Sequence, residues 1–220
     1  MSDGDSDVSS IDELTKRFAP LYCKEDFDNQ VVPEQEALCV VVVTSFLCPH
    51  SKEMLPIIQQ RFVMRDSYQT RRVRYFHVAL VPENKTDIKG LLQKDPVYMA
   101  TKRPPTELQK KDLQRQAYLN LMEFLSFLEV RSTPCMLFFV TGKLVRLSDE
   151  VMDSPRLTAT GSSMAKWEAV LQNAVIRRNT LMREYDEAKR QERRRLAKER
   201  RREARRLAKL EEAEEDEEDY

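Results

Sequence analysis

Val40-Val41-Val42-Val43-Thr44-Ser45-Phe46-Leu47-Cys48-Pro49-His50-Ser51 is an apolar run that breaks into a cysteine-bearing turn. The apolar character starts at Ala37 and holds to Phe46, as expected of a strand buried on both faces of a partly parallel sheet. Beyond the turn, Met54, Leu55, Ile58 and Phe62 recur at helical spacing. Cys48 is therefore placed where a strand hands over to a helix. A thiol at a helix N-terminus meets unbonded backbone N–H groups and the positive end of the helix dipole, which favour the thiolate. In a dithiol redox site, a second cysteine three residues on attacks the mixed disulfide. Ser51 stands at that position, and a hydroxyl cannot perform that attack.

Working outward, Ser10-Ile11-Asp12-Glu13 has capping-box form, and Ile11, Leu14, Phe18 and Leu21 make a helical stripe, so an N-terminal helix is expected. Pro33 to Glu36 reads as a turn. The helix after Cys48 is expected from Pro49 to about Arg65, kinked at Pro56. Val73 to Val81 alternates as a strand, and Glu83 to Thr106 is polar and turn-rich. Leu108 to Glu129 is helical, with Leu113, Ala117, Leu121, Phe124, Leu125 and Leu128 on one face. Cys135 to Val140 is an apolar strand, and Thr141-Gly142-Lys143 turns it into an antiparallel partner over Leu144 to Leu147. Ser154 to Ser163 reads as loop, and the chain is helical from Met164 towards its acidic end.

Composition bounds the rest. The 220 residues are 41% hydrophobic and 34% charged, with four glycines, which suggests one domain plus a long solvated helix. The formal net charge of zero hides a segregated distribution: Arg177 to Leu210 carries 15 Lys and Arg against 6 Asp and Glu, and Glu211 to Asp219 carries 8 acids. Cys23, Cys39, Cys48 and Cys135 have no paired local spacing, so neither a zinc cluster nor a disulfide framework is indicated. Met1 to Ser10 is acidic and lacks the apolar core of a secretory signal, and no apolar run approaches the roughly 20 residues that span a bilayer. A soluble, cytoplasmic protein with no membrane partner and no cofactor is expected.

This order of elements resembles the thioredoxin-like superfamily, and three spacings carry the likeness. Pro56 lies five residues beyond Ser51, at the offset of that family's helix-kink proline. Ser132-Thr133-Pro134 precedes an apolar strand, like the cis-proline loop that faces the active-site cysteine. Gly142 follows Pro134 by eight residues, as in the hairpin of the family's last two strands, and Gly161 before the final helix also fits. The resemblance covers roughly residues 32–178 and implies an α/β three-layer sandwich with a central mixed sheet, an inserted loop–helix and a long charged C-terminal helix. The expected organisation is a disordered 1–9, an N-terminal helix over 10–31, the thioredoxin-like domain over 32–178 with its insertion at about 83–118, a basic helix over 179–210 and an acidic tail over 211–220. The departures matter equally. Cys48 and Pro134 are separated by about twice the family's usual distance, Val42 stands where the family has a buried proton-transfer acid, and Leu47 replaces its tryptophan. These losses argue against ordinary dithiol oxidoreductase activity.

The candidate redox residues are Cys48, with His50 as a cation beside it, and Pro134 as the cis-proline. One reading is a monothiol that forms mixed disulfides; Cys-Pro-His also resembles the strongly oxidising thiol oxidases, whereas the Cys-Gly-Phe-Ser of monothiol glutaredoxins is absent. The other reading is an inherited cysteine in a scaffold now used for binding, and this is preferred, because a fold does not dictate a function. Cys135 could act as a resolving thiol only if it pointed out of the core. Cys23, Cys39, His77 and Trp167 read as structural.

The second signal is the tail. Arg194-Arg195-Leu196-Ala197-Lys198 recurs as Arg205-Arg206-Leu207-Ala208-Lys209, a period of 11 that returns to the same helix face. Arg193, Arg194, Arg195, Lys198, Arg200, Arg201, Arg202, Arg205, Arg206 and Lys209 are the candidate partner-binding residues, with Tyr220 ending an acidic-aromatic terminus. The plain alternative is a solvated helix held by i,i+4 ion pairs, but so many cations exceed what that requires. The natural partner is a polyanion. Nucleic-acid modules interleave aromatics, and none occurs between Tyr185 and Tyr220, so an acidic protein assembly is favoured: tubulin in microtubules, with other microtubule-associated proteins as further partners. The layout is similar to that of divergent thioredoxin-like proteins on the microtubules of protists, including apicomplexan parasites, which implies a non-catalytic protein of the cytoskeleton. An RNA-associated or chaperone adaptor, as in phosducin-like proteins, is a further alternative.

Overall fold

The computed structural model describes residues 17–64, 72–146 and 156–218, with side chains of the last helix to Arg206. The elements run β1 (Phe18–Pro20), α1 (Lys24–Gln30), β2 (Leu38–Ser45), α2 (Pro49–Ile58), a π-helical turn (Gln59–Val63) and β3 (Val73–Leu80). They continue with a 3-10 turn (Glu83–Lys85), α3 (Lys89–Lys94), α4 (Pro96–Thr101), α5 (Glu107–Phe127), β4 (Cys135–Val140), β5 (Lys143–Leu144), β6 (Thr158–Thr160) and α6 (Met164–Glu218). The chain divides into two compact units, residues 1–178 and 179–220.

In the first unit the strands lie in the order β1-β3-β2-β4-β5, with β6 also on β4. β2 is central because its seven residues from Leu38 to Thr44 are all buried. It pairs parallel with β3, Val42 opposite His77, and antiparallel with β4, Val42 opposite Met136. Cys39, Val41 and Val43 point into a cluster with Phe27, Phe76, Leu121, Phe124 and Leu137, beneath α1 and α5. Val40 and Val42 alternate to the other face and are equally buried. There α2 contributes Met54 and Ile58, and the start of α6 contributes Trp167, Leu171 and Ala174, all buried. An ion pair between Arg61 of the π-turn and Glu168 of α6, at 2.7 Å, ties those two elements together. Each large side chain so buried contributes on the order of 1.5–3 kcal/mol. This is the three-layer thioredoxin-like fold, with a mixed sheet and a long C-terminal helix.

Three elements differ from the sequence reading. Phe18 and Leu21 do not lie on a helical stripe: Phe18–Pro20 is a parallel edge strand on β3, Phe18 opposite Tyr75, and the helix is Lys24–Gln30. Pro20 is the reason, since it would remove a bond inside a helix but is tolerated at the end of an edge strand. The capping box at Ser10 to Glu13 lies outside the described residues. The segment expected as loop over Ser154 to Ser163 contains β6, whose Thr158 and Thr160 pair with Leu137 and Cys135. β5 and β6 both pair antiparallel with β4, and an antiparallel bridge joins Arg146, just after β5, to Arg156, just before β6. The third difference is the inserted segment, which holds two short helices, α3 and α4, where turns and loop were expected. It ends in a capping box: the Thr106 side chain accepts from the Gln109 amide, and the Gln109 side chain accepts from the Thr106 amide. That box starts α5 and sends its apolar face, from Ala117 to Leu128, onto the sheet.

Candidate functional site

Cys48 is the N-cap of α2, with extended backbone at φ −89° and Pro49 as the first helical residue. Its amide donates to the Ser45 carbonyl at 3.1 Å and fixes the turn between β2 and the helix. The thiol is half-buried. Its Sγ donates to the Thr133 carbonyl at 3.2 Å, so the loop before Pro134 closes over it. The Thr133–Pro134 bond is cis. The Cys48 thiol is held below the ordinary thiol range, chiefly by hydrogen bonding from the Ser51 hydroxyl and amide and further by the Thr133 side chain and the His50 amide, against a smaller opposing effect of burial. Ser51 is 2% exposed, and its Oγ also accepts from the Ser45 amide at 3.1 Å. The hydroxyl that cannot resolve a disulfide thus holds the turn together and stabilises a thiolate.

His50 serves Cys48 through its backbone amide. Its ring is exposed and lies 3.9 Å from the Glu53 carboxylate on the same helix face. Cys135 is buried in β4, opposite Val43 and Thr160, and burial pushes its thiol up to about 12. It is a thiol at neutral pH and a poor attacking group. Cys39 behaves in the same way, also at about 12. Val42 is fully buried and brings no acid to the sheet beneath Cys48. Its partner in register is His77, whose Nε2 lies 2.8 Å from the Thr44 hydroxyl and whose ring stacks on Phe18 at 4.9 Å. Burial pushes His77 down to about 4, so the ring is neutral at physiological pH.

Beside the turn is a surface that the sequence reading did not find. Leu47 is 76% exposed and Phe46 43% exposed. The Phe46 ring carries two ammonium groups, Lys85 at 4.0 Å and Lys52 at 5.1 Å from its centroid. Lys85 comes from the insertion, and nothing in the spacing of the chain announces that it reaches across to Phe46. Two cations on an aromatic platform next to Cys48 make this face attractive to acidic groups.

In the second unit every residue from Arg183 to Arg206 is helical and exposed. This stretch contains Arg193, Arg194, Arg195, Lys198, Arg200, Arg201, Arg202, Arg205 and Arg206; the Lys209 side chain and Tyr220 fall outside what is described. Among the described residues of this stretch one ion pair forms within 4.0 Å, Arg195 with Glu199 at 3.9 Å. Among the described residues no group of three or more His, Cys, Asp or Glu could hold a metal, and no helix is long and apolar enough to cross a membrane.

No protein-family profile matches the sequence, and no curated protein matches it. Solved structures similar to the chain are thioredoxins. The long form of spinach chloroplast thioredoxin f is 11% identical, with a TM-score of 0.44, covering 76% of this chain and 93% of that one. Thioredoxin from Trypanosoma brucei brucei is 13% identical, with a TM-score of 0.41, covering 72% of this chain and 90% of that one. Thioredoxin from Malassezia sympodialis is 12% identical, with a TM-score of 0.39 and coverage of 70% and 89%.

Proposed function

We propose that this chain is a non-catalytic thioredoxin-like docking protein that binds an acidic protein assembly through its basic helix and through the Phe46–Lys52–Lys85 face, with microtubules as the best-fitting assembly and the cytoskeleton as its location. The observation that carries this reading is the stretch from Arg183 to Arg206: a helix exposed throughout, with 12 cations against 6 anions. A helix polar all round buries nothing of its own, so its charge is available to a partner. The absence of aromatics from Gln191 to Glu218 favours an acidic protein surface over nucleic acid. The site chemistry supports a non-catalytic role, since Ser51, Val42 and the buried Cys135 supply neither a resolving thiol nor a proton-transfer acid.

The test is co-sedimentation of the full chain with microtubules, beside a variant with Arg193, Arg194, Arg195, Arg200, Arg201 and Arg202 changed to Gln. We expect pelleting of the parent and at least a tenfold weaker apparent affinity for the variant; equal pelleting of both, or none of either, removes the proposal. A second reading, a monothiol that forms mixed disulfides, is favoured by the lowered Cys48 thiol in contact with the cis-proline loop. Incubation with oxidised glutathione followed by intact-mass measurement separates the two: stable modification confined to Cys48 at neutral pH supports the monothiol.

A further inference from the structure

On the first unit, the insertion and the chain between β1 and α1 line a partly open cavity of about 330 Å³. Its walls are apolar, from Leu21, Val81, Leu91, Ala117 and Leu121. The volume lies within the range of small-molecule sites and well above the ~150 Å³ of a cavity that holds benzene. Two carboxylates, Asp26 at the start of α1 and Asp87 in the insertion, line the same cavity from separate elements and flank the Tyr22 phenol. Asp26 accepts from the Tyr22 amide at 2.8 Å and Asp87 from the Lys89 amide at 2.9 Å, so both are fixed in place. Lys85, the one cation in the lining, has its ammonium on the Phe46 ring. The remaining titratable groups there are neutral: burial raises the Cys23 thiol, and His77 is pushed down to about 4. The cavity therefore combines an apolar interior with net negative charge.

We infer that this cavity binds a small amphipathic cation, with an apolar body of aromatic or short aliphatic size in the interior and an ammonium group held by Asp26 and Asp87. The body replaces water against Leu21, Leu91 and Leu121, and the two carboxylates set the charge preference. An anion with the same body meets two like charges and is rejected. The lining is shared between the β1 edge, which contributes Pro20, and the insertion, which contributes Asp87 and Leu91.

The experiment uses the full chain and three probes that share one body: 4-phenylbutylamine, 4-phenylbutanol and 4-phenylbutyrate. Binding is read by calorimetry and by amide NMR shifts. The amine is expected to bind about tenfold more tightly than the alcohol, a difference typical of one partly desolvated charge interaction. Shifts should fall on Tyr22, Asp26, Asp87 and Leu91. Asp87→Asn keeps the Lys89 contact and should weaken the amine five- to tenfold while leaving the alcohol unchanged. A Cβ on Gly90, in the cavity lining, would meet no atom within 4 Å; Gly90→Leu adds apolar bulk at the lining and should weaken amine and alcohol together by at least tenfold. Equal affinity for all three probes overturns the inference. So does an amine affinity unchanged in both variants, or the absence of shifts at the cavity residues.

Discussion

Ser51 shows how one atom changes what a turn can do. Its hydroxyl accepts from Ser45 and leads the groups that stabilise the Cys48 thiolate. Ser51→Ala should raise the pH midpoint of Cys48 alkylation towards the ordinary thiol value. It should also cost about 1–3 kcal/mol in chemical denaturation, since the Ser45 amide loses its partner in a buried place. An unchanged alkylation midpoint shows that Ser51 does not tune the thiol. His77 makes a second residue-scale prediction. The unfolded ring takes a proton near the ordinary histidine value of about 6.5, the folded ring only near 4. Because the folded value is depressed, the stabilisation is complete above about pH 6.5 and is lost as pH falls towards 4. The loss is at most ~3 kcal/mol. Urea unfolding between pH 7 and 4 should show this segment in the parent and lack it in His77→Gln, which can still hydrogen-bond Thr44.

At the scale of elements, the hairpin between β4 and β5 is set by backbone conformation. Thr141 and Gly142 have φ of 51° and 72°, the pair of left-handed residues that a tight hairpin with right-handed strand twist requires. A Cβ on Gly142 would also come within 3.2 Å of the Val32 Cα and both its methyl groups. Gly142→Ala should therefore destabilise the first unit by about 1–2 kcal/mol, read as a lower denaturation midpoint with an unchanged slope. A neutral result means that Val32 yields. This hairpin was legible because glycine signals it locally. So were β2 and α5, whose apolar patterns are long. β1 and β6 were not, since three residues carry no periodicity and each is a strand only because β3 or β4 offers an edge. The short helices of the insertion were hidden for a related reason, lying among Pro-rich, polar residues that read as turns.

For the whole molecule, charge is the feature that composition alone conceals. A chain of zero formal net charge carries a described helical stretch with twice as many cations as anions. If that helix binds an acidic assembly, affinity should fall steeply with ionic strength, because exposed charges are screened over about 8–10 Å at physiological salt. Co-sedimentation repeated from 50 to 300 mM salt should lose most of the bound fraction; salt-independent pelleting would place the contact on an apolar surface such as Phe46 and Leu47. The amino-acid sequence by itself determined the buried β2 strand, the turn at Cys48 and the basic helix, because each is written in local pattern, whereas the cis-proline is expected only from the resemblance to thioredoxin-like proteins. Tertiary structure alone decided that Lys85 reaches Phe46, that Asp26 and Asp87 meet at one cavity, that His77 lies beside Val42 as a neutral ring, and that Cys135 is closed off. Each of these depends on which distant segments the sheet and the insertion bring together, and residue spacing along the chain does not contain that distance.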